Sequence, residues 1–321
     1  MDYDKIGPLA DAIAKAEEAD VLFFSGEIHP GTGRPFLKAV CSRKRAKNVV
    51  LIIVTPGGDP DAAFKMGRSL QQGYERVTVF VPGWCKSAGT LVALAGHRLV
   101  IADEGELGPL DIQIAKSDEI MELGSGLTVD AAMKSLETTA SKMVLNLMVS
   151  VRRDTGGQIS TRTAADLATR MVTGLLEPIY RQIDPIKIGE NTRAMNITRG
   201  YGSRLNIHSR NLRSPQSLEY LVSSYPDHSF VIDRKEAEAH FIRVAEPNDA
   251  FRSLADAMGE DSVIPMNRDG LPLIRFLSKE YEDAPQSEDK DASVRPKAGN
   301  RTRTRSQGPR PNGSAAPNPA S

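Results

Sequence analysis

The sequence predicts an α/β protein built on a mostly parallel sheet. Three observations lead there. The runs NVVLIIV (48–54) and VTVFV (77–81) have no charged face, which suits strands covered on both sides, as in parallel sheets. Each run is followed by a turn of small residues and then a segment of helical periodicity. Strand and helix alternate at the spacing of βαβ units, whose crossovers are right-handed.

Taken in order, residues 6–19 have the apolar spacing of a helix and 20–24 (DVLFF) read as a short strand. A Gly/Pro-rich loop, SGEIHPGTGRP, leads into a helix over 35–45. The strand 48–54 runs through TPGG into an amphipathic helix, and the strand 77–81 runs through the loop PGWCK into a helix over 87–95. A further strand is expected over 98–102. Segments 129–153, 161–173 and 190–205 have helical periodicity, the sequence SFVID (229–233) is strand-like, and EAEAHF opens another helical turn. Residues 1–280 therefore form one α/β unit with a helical extension. From 281 to 321 the chain has too few apolar residues to offset its entropy, and it reads as a disordered tail. Charge is segregated there: 282–291 hold five acids and one Lys, while 295–310 hold six basic residues and no acid.

Composition excludes several classes. With 41 basic and 41 acidic residues the formal charge is zero, so a dedicated nucleic-acid binder is not expected, the basic tail segment apart. Two cysteines, Cys41 and Cys85, cannot build a disulfide framework or a CxxC zinc site, and they suit a reducing compartment. No apolar run is long enough to span a bilayer, and the N-terminus lacks the pattern of a secretory signal. A cytoplasmic protein without metal or cofactor is the expectation.

The chemistry concentrates between Thr55 and Asp111. In a parallel sheet TPGG and CKSAGT both lie at the C-terminal edge, where α/β folds place their sites. Gly57 and Gly58 let a ligand approach the backbone. Ser87 stands at a helix start, and amides of Gly57 or Gly58 and of Ala88 make an oxyanion hole for acyl transfer. Ser is also the ordinary residue of a helix N-cap, so spacing alone leaves a structural role open. A phosphate loop is not indicated, because neither GxxxxGK[ST] nor GxGxxG is present. Cys85 reads as a buried spacer and Trp84 as core. His29, His97, His208 and His240 read as structural, with His97 a cation suited to a helix C-terminus.

The strings VTPGGDPDAAFKMGRSL and VTVFVPGWCKSAGTLVALAGHRLVIADEGELGPLDIQ resemble the serine dehydrogenase proteinase family. That family is a branch of the Clp-protease/crotonase superfamily, related to signal peptide peptidase A. The resemblance is specific over 48–114, weaker over 160–245 and absent from the tail. It implies a Clp-protease/crotonase-like spiral of βαβ units with a largely helical C-terminal half. It also implies a nucleophilic Ser87, oxyanion donors at the PGG turn, a peptide or protein substrate and a homo-oligomer. Where Clp-type proteases have the triad His, about 25 residues after the Ser, this chain has GPLDIQI, with Asp111 and no His. The stretch YPDHSFVIDRKEAEAHF resembles the region of the Clp acid and offers His228 as base, with Asp111 or Asp227 to orient it. A Ser-Lys dyad with Lys86, Lys116 or Lys142 is the other arrangement, and it requires a desolvated Lys.

Three functions share these residues: a serine peptidase, a crotonase-like enzyme acting on an acyl thioester, and a non-catalytic oligomeric scaffold. Because the tail cannot form a core, a chain ending before Glu282 is expected to melt at nearly the temperature of the full chain in a thermal unfolding scan.

Overall fold

The computed structural model describes residues 2–110, 113–115, 123–266 and 271–278, all within the unit Met1–Asp283. The tail, Asp111 and Lys116 lie outside the described residues. The first half runs α1 (Tyr3–Glu17), β1 (Ala19–Ser25), α2 (Gly33–Arg43), β2 (Asn48–Val54), α3 (Pro60–Gly73), β3 (Arg76–Val81), β4 (Trp84–Cys85), α4 (Ala88–Ala93), β5 (Arg98–Ile101) and β6 (Glu106–Leu107). After β7 (Gln113–Ala115) and β8 (Leu123–Ser125) come α5 (Gly126–Asp154), α6 (Thr161–Tyr180), α7 (Pro185–Ser209), α8 (Pro215–Ser223) and α9 (Arg234–His240). The chain then forms β9 (Val244–Ala245), α10 (Asp249–Met258), α11 (Glu260–Val263) and β10 (Leu273–Phe276).

The main sheet has the order β10-β1-β2-β3-β5-β9, parallel throughout except for β10. Period-two alternation splits the central strands between two cores. Val49, Leu51 and Ile53 of β2 face α2, α3 and α4, while Val50, Ile52 and Val54 face α1 and α10. A residue buried this way contributes about 1.5–3 kcal/mol through lost apolar exposure, which is why a strand without a polar face belongs at the sheet centre.

Helix starts follow local chemistry. The Asp59 carboxylate accepts from Ala62 N–H at 2.7 Å ahead of α3, and Asp184 accepts from Ile186 N–H at 2.9 Å ahead of α7. Pro60 and Pro185 stand in the first turns, where a missing N–H costs nothing. That pair of signals starts α7 at Pro185 rather than at 190. The expected end of α6 at 173 is passed as well, and the helix runs to Tyr180 with Pro178 inside it. The strand-like 229–233 forms only a single bridge, Leu107 to Ile232, because Asp227 closes a turn onto Ser229 and Phe230. Two-residue strands such as β4 and β6 carry no periodicity to detect, and the PGWCK segment read as loop contains one of them.

Phe80 is fully buried, with its ring edge-on to Phe251 at 4.9 Å, and couples β3 to α10. Phe80→Ala is expected to lower unfolding free energy by about 3–5 kcal/mol in a urea titration.

Candidate active site

The site is built on a second, smaller ladder at the C-terminal end of β2. Thr55 N–H donates to Trp84 O at 2.7 Å and Lys86 N–H donates to Thr55 O at 3.0 Å. Trp84 and Cys85 pair with Glu106 and Leu107, and Leu107 exchanges bonds with Ile232 at 2.9 and 3.0 Å. Four distant chain segments thus lie side by side, and Ser87 leaves this ladder to start α4.

Ser87 has φ 47° and ψ −114°. The other described non-glycine residues with positive φ, Glu18 and Arg210, are ordinary left-handed helix caps with ψ near 45°. The Ser87 conformation is instead a sharp strand-to-helix elbow, of the kind that pushes a nucleophilic oxygen clear of the backbone. It costs about 1–3 kcal/mol and persists only where the surroundings over-determine it. Here Gly89 N–H donates to Lys86 O at 2.7 Å and Thr90 N–H to Ser87 O at 2.8 Å. The Thr90 hydroxyl lies 3.1 Å from Cys85 O and 2.7 Å from Gly108 O, and it accepts from Gly108 N–H at 3.1 Å. A side chain at Gly89 would meet Thr55 at 2.5 Å and Cys85 at 3.0 Å. The SAGT string is therefore a packing motif.

The glycine turn meets this elbow directly. A Cβ on Gly57, whose φ is 105°, would lie 2.8 Å from Ser87 Cβ. One on Gly58, with φ 131°, would strike Ile28 O at 2.2 Å. Gly57 N–H donates to Thr55 Oγ1 at 3.1 Å. The bridge to Ile28 uses Gly57 O and Asp59 N–H and leaves the Gly58 amide out. Among the described residues neither the Gly58 nor the Ala88 N–H has an acceptor.

The base candidates separate clearly. Lys86 sits beside Ser87 with its side chain across Gly108, and its ammonium lies 3.0 Å from Glu106 Oε1 in a largely buried ion pair. Lys142 is on an exposed stretch of α5. His228 is half-buried in the turn that leads to Ile232, four residues before the ladder. Asp227 binds Ser229, through both its hydroxyl and its amide, and these bonds hold its carboxyl below the usual range. His97 is not the cation expected at a helix end. Its Nδ1 accepts from Val77 N–H at 3.1 Å, and burial, with Arg243 nearby, pushes its pKa down. Cys85 is fully buried, and burial drives its thiol far above the ordinary value. Trp84, expected in the core, is 40% exposed.

Strained serine, glycine turn and LGP segment occur in one stretch of chain that has known counterparts. Residues 32–134 match the family of ClpP-like SDH-type serine proteinases. The match covers roughly a third of the 321 residues and includes β2, α3, β4, α4 and β6. The fold is accordingly ClpP-like, a mixed α/β architecture with a mostly parallel sheet and a helical C-terminal half. Two uncharacterized proteins of Methanocaldococcus jannaschii are 35% and 31% identical to the chain over 80 residues, 25% of this chain in each case. The alignments span 28% and 27% of those relatives' own length. A structure of the 1510-N membrane-bound stomatin-specific protease with a substrate peptide is similar at TM-score 0.40 and 15% identity, covering 81% of this chain and 88% of that one. Another structure of that protease gives 0.28 at 20% identity, over 48% and 71%. Among the described residues no helix is long and apolar enough to cross a membrane.

The contact between Gly57 and Ser87 is testable by adding one methyl group. Gly57→Ala is expected to abolish labelling of Ser87 by a fluorophosphonate while the far-UV circular dichroism stays unchanged. Gly200→Ala, at a helix position with open space around it, is expected to label normally and to stabilise by up to about 1 kcal/mol.

Proposed function

We propose that this protein is a serine peptidase in which Ser87 is the nucleophile, His228 the general base and Asp111 the group that orients His228. The observation that carries it is the strained Ser87 at a strand-to-helix junction, packed against a glycine turn. Ser87 Oγ attacks the peptide carbonyl as His228 takes its proton. The oxyanion of the tetrahedral intermediate is received by the Gly58 and Ala88 amides, with Gly57 giving the turn its shape. The imidazolium then protonates the leaving amine, and a water molecule deprotonated by the same His228 hydrolyses the acyl-enzyme.

The Lys86 dyad is disfavoured by its commitment to Glu106. A thioester-processing enzyme would use the same oxyanion donors and has no need of a strained serine. We assign the peptidase to the cytoplasm, in keeping with its two unpaired cysteines. We assign it a homo-oligomeric state as well. The apolar row Leu167, Met171, Leu175 and Ile179 on α6 supports the latter, being 42–58% exposed in a single chain.

A fluorophosphonate probe tests the assignment. The protein is expected to be labelled once per chain, Ser87→Ala not at all, and His228→Ala at a rate lower by a factor of about 10²–10⁴. A protein left unlabelled at any pH overturns the serine-peptidase assignment. Labelling that survives in Ser87→Ala removes the nucleophile assignment.

A further inference from the structure

The loop that carries His228 is pinned at both ends. On its far side Ile232 exchanges two backbone hydrogen bonds with Leu107, whose strand lies against Cys85. On its near side stands Tyr225, 6% exposed, with its hydroxyl 2.8 Å from Glu236 Oε1 and 2.8 Å from His240 Nε2. The phenol has a single proton, and the carboxylate can only accept. Tyr225 therefore donates to Glu236, and His240, as the Nε2–H tautomer, donates to Tyr225.

Tyr225 and His240 are buried, each 6% exposed, and Glu236 closes the network from its partly exposed side. The Tyr220 ring meets Tyr225 edge-on at 5.3 Å, and the Phe230 ring packs on Tyr225 at 4.8 Å. Leu110 N–H donates to Leu221 O at 2.7 Å, tying the end of α8, just before Tyr225, to the segment that follows Gly108. Burial pushes the Tyr225 phenol up and the His240 imidazole down, the latter against the pull of Glu236. Both groups thus stay neutral and their bonds stay in place near neutral pH. Between the two anchors Asp227 accepts from Ser229 N–H at 2.8 Å, which places His228 inside a tight turn with little freedom to drift.

Burying the polar ends of Tyr225 and His240 gains little stability over apolar side chains of the same volume, while hydrogen bonds that satisfy both select one geometry. We infer that Tyr225 is a positioning residue for His228, holding the base-bearing turn in register with the Ser87 ladder through Glu236 and His240. The inference rests on the assignment of His228 as general base.

The test is the rate of fluorophosphonate labelling of Ser87, measured alongside the melting temperature. Tyr225→Phe and Glu236→Ala are each expected to slow labelling about tenfold to a hundredfold, the usual effect of a small misplacement of a catalytic group, with little change in melting temperature. Glu236→Gln keeps an acceptor for the phenol and is expected to label nearly as the parent does. The double variant Tyr225→Phe/Glu236→Ala should be no slower than the slower single one, because both break the same link. Tyr225→Phe labelling at the parent rate, where His228→Ala labels at the expected lower rate, overturns the positioning role and leaves the base assignment standing. Parent-rate labelling of His228→Ala overturns the base assignment and this inference with it.

Discussion

A serine with φ of 47° has to be held there by its neighbours, and most of the local architecture follows from that requirement. The strain is spread over contacts that tolerate no added bulk. Gly89 must lie against Thr55 and Cys85, Gly57 must face the serine, and Gly108 must pass across Lys86. One hydroxyl, that of Thr90, gathers the backbone of Cys85 and Gly108 into the same small volume. Small residues are needed at these points because two backbones meet there with no room for a side chain between them.

The short ladder from Thr55 to Ile232 gives this arrangement its reach. Each of its four members comes from a different part of the chain, and together they bring the glycine turn, Ser87, the LGP segment and the His228 loop to one edge of the sheet. Backbone hydrogen bonds fix such segments more tightly than side-chain packing alone, because one register slip would disrupt several bonds together. The main sheet then serves as a base, with its two cores on opposite faces, and the smaller ladder holds the candidate site.

The main sheet was readable because its signal is repetitive. Five β-branched and aromatic residues in a row, as in β3, have few other uses, and an Asp-Pro pair marks the start of α3. The strained elbow at Ser87 left no signal of its own in the sequence, since Ser before a helix is also an ordinary cap. The smaller ladder was not legible at all. Strands of two residues have no period, and the bonds between Cys85, Leu107 and Ile232 depend on where the main sheet has already placed them. His97 and Trp84 were misjudged for a related reason. Their setting is decided by Val77 and by an edge position on β4, and neither is adjacent to them in a way that sequence patterns reveal.

The antiparallel strand β10 has a consequence for how the molecule comes together. It pairs Ser25 with Leu273 and Leu22 with Phe276, while Met266 N–H donates to Ser25 Oγ at 2.8 Å. This edge of the sheet can close only after nearly all of the globular chain has left the ribosome. Until then β1, apolar on both faces, presents open backbone groups to any neighbouring strand. Loop-closure entropy also makes so distant a pairing slow. The N-terminal strand is thus the stretch of this protein most exposed to mispairing during synthesis, and the place where a holding chaperone has the longest time to act.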